Sequence, residues 1–171
     1  KLPKKKKELC YYLTGFADAE GCFNVSLKKD EGTRFGWVLD PVFHVNQHKT
    51  NRVVLELFLR TLNCGRIIQK SGQPEMLLFL VDNRRQLEEK IIPFFERYPL
   101  IGKARDYNLF TKIVFSLQRK GHSDINKFIK LVKAAFEMNQ NGKQRRYNLS
   151  EVLKDLESKT TRSSETIRQT P

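Results

Sequence analysis

Residues 13–21 read LTGFADAEG, and two carboxylates, Asp18 and Glu20, stand there just before a glycine, Gly21. The apolar residues Leu9, Tyr12, Leu13 and Phe16 recur at i, i+3, i+4 and i+7. That spacing predicts a helix over 8–20 with Gly21 as its stop. Both acids then lie at the negative end of the helix dipole, at a cost of about 0.3–1 kcal/mol. A cation would remove that penalty. The last carbonyls of a helix lack intrahelical partners, so carbonyl and carboxylate oxygens would reinforce each other as ligands of a hard ion.

A second set of reactive types lies on strands. Asn24, Ser26 and Lys28 alternate with Phe23, Val25 and Leu27. Val38, Asp40, Val42, His44 and Asn46 alternate with Trp37, Leu39, Phe43 and Val45, and Arg66, Ile68 and Lys70 with Ile67 and Gln69. Period two gives each strand one apolar and one polar side. The polar side would carry Asn24, Ser26, Lys28, His44, Asn46, Arg66 and Lys70, which no core wants. It is either a solvated sheet face or one that fits the major groove of DNA, where Arg and Lys donate to guanine O6/N7 and Asn pairs with adenine.

The remaining elements follow from punctuation. Pro41 in the second strand predicts a bulge or an unpaired position. Asn51 is placed to cap a helix through Val54, Leu55, Phe58, Leu59 and Leu62. SGQPE reads as a turn before a fourth strand over 76–81, apolar on both sides. A helix from Asp82 or Asn83 to Tyr98 should be split or kinked at Pro93. Two more helices are predicted over 104–117 and 123–138, the second capped by Ser123 or Asp124. The chain turns polar from Gln140, with Gly142, Arg145 and Arg146. A short helix over 150–156, capped by Ser150, then precedes a loosely held tail. His122 reads as a surface residue. No internal repeat is visible.

The chain has 171 residues, 39% hydrophobic and 30% charged, with a formal net charge of +13. This predicts one globular domain (residues 8–140) after a basic tail (1–7), followed by a polar extension (141–171). The positive excess points to a polyanion, and without a basic amphipathic helix to lie on a membrane, nucleic acid is the better partner. No apolar run approaches the ~18 residues of a membrane span, and the basic start lacks the features of a signal peptide. The three cysteines, Cys10, Cys22 and Cys64, are odd in number and scattered. They argue against disulfides or a cysteine zinc site and for a reducing interior.

Here the sequence resembles a known family. LTGFADAEG is similar to the defining motif of the LAGLIDADG homing endonucleases at Leu13, Gly15, Asp18, the acid at position 20 and Gly21. The element order after it also fits, so the resemblance covers about residues 8–138. FGWVLDPVFHVNQH and VDNRRQLEEKIIPFFERY look like the branch found in rRNA-gene introns. The resemblance implies an α+β fold of the αββαββα type, an antiparallel four-stranded saddle with helices on its other face. It implies a homodimer whose motif helices pack about a two-fold axis, with Leu13, Gly15, Phe16 and Ala19 at the interface. The implied activity is site-specific cleavage of a long pseudo-palindromic double-stranded DNA target for intron homing.

Glu20 matches the metal-binding acid, with the Ala19 carbonyl as a further ligand. Mg²⁺ is the implied ion, with Mn²⁺ able to substitute and Ca²⁺ binding without cleavage. For Asp18 a structural or capping role is preferred to ligation. Gln47 matches the polar residue that organises water. Arg52 is the first choice for the basic residue after it, ahead of His48 and Lys49, and Arg105 for the second, ahead of Lys103. DNA contacts are expected from Asn24, Ser26, Lys28, Lys29, Asp40, His44, Asn46, Arg66, Ile68, Lys70 and Glu75. The expected setting is intracellular, in a prokaryotic cytoplasm or an organelle. The competing readings are a splicing maturase or non-catalytic DNA-binding regulator on the same scaffold, and a basic structural protein that binds rRNA.

Overall fold

The computed structural model describes residues 5–119, 123–138 and 146–168. The expectations for Lys4, His122, Gly142 and Arg145 lie outside the described residues. Helix α1 (Lys6–Glu20) leads directly into strand β1 (Gly21–Lys29), which is followed by β2 (Trp37–His48). A single 3-10 turn at Lys49–Asn51 opens onto α2 (Arg52–Leu62). Strands β3 (Arg66–Lys70) and β4 (Gln73–Val81) follow. Then come α3 (Arg84–Gln86), a π turn (Leu87–Ile91), α4 (Ile92–Arg97), α5 (Ala104–Gln118), α6 (Ile125–Glu137) and α7 (Leu149–Arg168).

The four strands form one antiparallel sheet in the order β1-β2-β4-β3. The helices cover one face. Phe23, Val25, Leu39, Phe43, Val45, Phe79 and Val81 point into it and are almost fully buried. Phe23 is the hub of an aromatic cluster. Its ring stacks on Phe43 at 4.9 Å between centroids and meets Phe110, Phe95 and Tyr107 edge-on at 5.3–5.4 Å. Such pairs add about 0.5–1.5 kcal/mol each beyond area burial.

Both prolines of the sheet sit where a missing N–H is harmless. Pro41 stands opposite Val25 with no shift in register, so of the expected bulge or unpaired position it is the second that occurs. Pairing of β2 with β4 begins only at Phe43, so Pro41 has a strand on one side alone. Pro74 belongs to β4 and not to a five-residue turn, and it too lies beyond the rungs shared with β2. The turn is reduced to Ser71 and Gly72, whose φ of +72° is the conformation a glycine adopts freely. The register shift falls at Gln69/Lys70.

Of the predicted caps, Asn51 keeps its place without its bond and Ser150 gives way to Asn148. Asn51 stands at the α2 N-terminus but makes no side-chain cap bond. Asn148, not Ser150, opens α7: its Oδ1 accepts from Ser150 N–H while Glu151 accepts from Asn148 N–H, a reciprocal capping box. α7 itself is longer than expected, reaching Arg168, so the supposed loose tail is helical through that residue. Its Val152 and Leu156 are fully buried in the main core. Asp155 accepts from the Trp37 indole N–H at 2.6 Å, and Lys159 donates to the Phe35 carbonyl at 2.9 Å. The polar composition of 149–168 hid a helix held by one apolar stripe and two long side chains. Among the described residues, no helix is long and apolar enough to cross a membrane.

Leu156→Ala should therefore destabilise the whole chain by about 2–5 kcal/mol, as for other buried leucines. Urea denaturation checks this. A loss below about 0.5 kcal/mol, the range of surface changes, would mean that α7 is not packed into the core.

Candidate functional site

The segment 98–103 runs along α1 and fixes its end. The Thr14 hydroxyl donates to the Tyr98 carbonyl at 3.3 Å, and the Tyr11 and Tyr98 rings meet edge-on at 5.2 Å. One turn on, Asp18 accepts three consecutive backbone N–H groups, from Ile101 (2.9 Å), Gly102 (2.7 Å) and Lys103 (2.8 Å). Asp18 is thus a cap on the loop that opens α5. Burial pushes its carboxyl up, but the three N–H donors and the Lys103 charge outweigh burial and hold it below its ordinary value.

Gly21 is required by space rather than by φ, which is −78°. A Cβ there would lie 2.5 Å from the Ala17 carbonyl oxygen. With glycine, the helix passes into β1 without a connecting loop. The last carbonyls of α1 meet a cation: the Lys103 ammonium donates to the Asp18 carbonyl and, at 2.9 Å, to that of Ala19. A positive charge at a helix C-terminus is worth about 0.3–1 kcal/mol. Glu20 is exposed and makes no hydrogen bond or ion pair among the described residues. Arg105 is exposed at the second position of α5, so Lys103, not Arg105, is the basic residue brought to α1.

Gly21 pairs with Val45, which sets Gln47 just past the start of β1, beside the end of α1. Gln47 is half-buried, and its Oε1 accepts from Asn51 Nδ2 at 3.0 Å. Asn51, read from the sequence as a helix cap, instead orients this amide. All three basic candidates after Gln47 are engaged. Arg52 donates to Glu56 at 2.9 Å, and Arg60 donates to the same acid. Lys49 pairs with Glu75 at 2.7 Å, and the His48 ring accepts from the Thr50 N–H. Lys103, by contrast, donates to carbonyls of α1.

The open face of the sheet carries Asn24, Ser26, Lys28, Asp40, His44, Asn46, Arg66 and Ile68, as alternation requires. Lys70 stands close enough to lower the His44 pKa, after burial, which is the larger cause. Cations on the two edge strands are matched to acids further in. Lys28 on β1 pairs with Asp40 on β2, and Arg66 on β3 makes two 2.7 Å bonds to Asp82 after β4. Asn46 Oδ1 is buried on this face without a partner among the described residues. Two other expected DNA contacts, Lys29 and Glu75, are engaged elsewhere. Lys29 pairs with Trp37 and by alternation falls on the helix-covered side, where its charge acts on Asp155. Glu75 is exposed near the start of β4 and is held by Lys49. Asp82 lay outside the strand pattern, although its place two residues past Leu80 could have flagged it.

On α1, Leu13 is fully buried in its own core and cannot reach a partner chain, a correction to its expected interface position. Phe16 is half-buried, with its ring 6.2 Å from that of Phe58. The exposed stripe is Tyr11 (49% exposed), Tyr12 (43%), Gly15 and Ala19. A Cβ at Gly15 would meet nothing within 4 Å. The chain's own packing therefore gives no reason for a glycine that costs about 0.5–1 kcal/mol in a helix.

Comparison with known proteins agrees with this geometry. A family model described as LAGLIDADG endonuclease matches residues 13–114. The chain is 36% identical over 122 residues to DNA endonuclease I-CeuI of Chlamydomonas moewusii, covering 69% of this chain and 56% of that protein. It is 33% identical over 147 residues to homing endonuclease I-ApeII of Aeropyrum pernix, covering 84% and 87% of the two. Among solved structures, the archaeal intron-encoded homing endonuclease I-Vdi141I complexed with DNA superposes with a TM-score of 0.85 at 35% identity. That match covers 92% of this chain and 99% of the other. The chain thus spans little more than half of I-CeuI but nearly all of I-Vdi141I.

Because the Asp18 carboxyl is held low, its contribution is present above its unfolded pKa of about 4 and lost as pH falls through the lower folded value. Asp18→Asn should cost about 1–3 kcal/mol at pH 7, toward the lower end because solvent partly screens the site. The gap between variant and parent in denaturant midpoint should narrow steadily below about pH 4. A gap unchanged down to pH 3 would contradict the capping role.

Proposed function

The chain belongs to the LAGLIDADG endonucleases, and on that premise we propose that it is a site-specific DNA endonuclease of intron homing. It hydrolyses phosphodiester bonds in double-stranded DNA. The observation that carries this reading is the unpartnered Glu20 carboxylate at the end of α1, beside carbonyls that already attract the Lys103 ammonium.

The donors suit a hard divalent cation: a free carboxylate and a helix-terminal carbonyl. Among the described residues no group of three or more His, Cys, Asp or Glu side chains could hold a metal. One chain therefore offers a half-site, completed by phosphate oxygens and by Glu20 of a second copy. Mg²⁺ fits best, with Mn²⁺ able to replace it and Ca²⁺ binding without cutting. When bound, the ion activates a water and neutralises charge at phosphorus.

The chain's own residues do the rest. Lys103 holds positive charge where the leaving oxygen develops negative charge. Gln47, its amide fixed by Asn51, orients water. Asp18 keeps Lys103 in place. A basic residue after Gln47, Arg52 first, supplies a further positive charge. Two copies join through Gly15 and Ala19 of α1, flanked by Tyr11, Tyr12 and the partly exposed Phe16. The two open sheet faces then follow one DNA major groove, read by Asn24, Ser26, Lys28, Asp40, His44, Asn46, Arg66, Ile68 and Lys70. The unpartnered Asn46 amide oxygen supports this, because a buried acceptor of that kind calls for an outside donor. The catalytic domain is 8–140, with α7 bracing it. The setting is a prokaryotic cytoplasm or an organelle.

Glu20→Gln keeps shape and removes charge. It should cut cleavage in Mg²⁺ by at least about a hundredfold, since even residues behind a metal ligand cost 10–100-fold. DNA affinity should stay nearly unchanged, with two chains per target by sedimentation. A variant that cuts normally would sink the proposed mechanism.

A further inference from the structure

On a chain with a net charge of +13, Asp82 stands on the open sheet face, where negative charge opposes a polyanion. Its local partner is Arg66. Nη1 donates to Oδ1 and Nη2 to Oδ2, both at 2.7 Å, in the parallel two-bond arrangement that fixes a guanidinium plane. These bonds use the outer end of the guanidinium. They leave Nε–H and an adjacent Nη–H without a partner among the described residues. That remaining pair has the fork spacing that matches guanine O6 and N7. Arg66 lies on the edge strand β3 and is about half exposed (54%), so the free edge is accessible. The Arg66 bonds, ahead of the opposing effect of burial, keep the Asp82 carboxyl below its usual range, so it is charged at neutral pH.

We propose that Arg66 reads a guanine in the target and that Asp82 is its positioning residue, holding the guanidinium so that only the Nε edge faces the bases. The inference rests on the DNA-endonuclease reading above. Lys28 with Asp40 is not equivalent: an ammonium has no second planar edge to present once paired. For Arg66 the acid lowers the ordering cost of binding by fixing a long side chain in advance. It also weakens contact with DNA that offers no guanine there, because Asp82 then meets the duplex with nothing gained in return.

The test is selection of bound sequences from a randomised duplex library by the full chain and two variants, with cleavage suppressed by a chelator. The parent should enrich guanine at one position per half-site by roughly 5- to 150-fold, the range for one good bidentate contact. Arg66→Gln removes the guanidinium and should lose the guanine preference at that position alone. Asp82→Asn should weaken the same preference severalfold while raising affinity for unrelated DNA. A purely structural role for Asp82 would not move these two readouts in opposite directions. If Asp82→Asn keeps the parent's base preference, or Arg66→Gln still selects guanine there, the inference is overturned. If the parent shows no sequence preference at all, the endonuclease reading falls and takes the inference with it.

Discussion

Three consecutive N–H groups, from Ile101, Gly102 and Lys103, converge on the carboxylate of Asp18. That knot ties a residue near the end of the first helix to one more than eighty positions later. Its consequence is electrostatic. It sets Lys103 so that the ammonium reaches back to the last carbonyls of α1, and it uses up one of the two acids of the motif. The other acid, Glu20, is left exposed at the same helix end, its carboxylate unpaired among the described residues. Two acids at a helix C-terminus look unfavourable one by one. Together they make a polar junction in which their roles divide, since one binds backbone and the other remains available.

Gly21 makes the junction compact. Because no side chain separates it from the Ala17 carbonyl, β1 starts where α1 stops, and its first residue already pairs with Val45 on the central strand. Gln47 is brought beside the helix end by that register alone. On the far side of the sheet the same alternation sends polar side chains outward, and two of the cations there are matched to acids on inner positions. Exposed ion pairs of this kind add little to stability, about 0–1 kcal/mol. Their value is in orientation and in the pattern of charge that a duplex would meet.

The sequence made the elements readable wherever periodicity was strong. The span of α1, the alternation of β1 and β2 and the break at Pro93 all recur in the structure, although the buried face of α1 is Cys10, Leu13, Thr14 and Ala17 rather than the expected apolar stripe. Pro93 stands at the start of α4, just after a π turn that absorbs the irregularity. What escaped depended on contacts distant in sequence or on neighbours that propensity does not weigh. α7 was underestimated because its apolar residues, Val152 and Leu156, are sparse and become decisive only against the core. Arg105 was ranked above Lys103 because spacing cannot tell which side chain turns toward α1. Leu13 lies in a motif whose outer stripe faces solvent, yet its own phase on the helix points inward. Asn51 fits the pattern of a cap and stands at that place, but the side-chain bond it makes is a donation from Nδ2 to Gln47, four residues away.

The chemistry proposed above is concentrated at one helix end, assembled from α1, the end of β2 and the loop before α5. The most direct measurement of that claim is anomalous diffraction from Mn²⁺ in crystals of the chain bound to its DNA target. A metal peak is expected in first-coordination contact with a Glu20 carboxylate oxygen and a DNA phosphate, close to the carbonyl end of α1. A peak ligated elsewhere on the chain, with Glu20 still free, would contradict it.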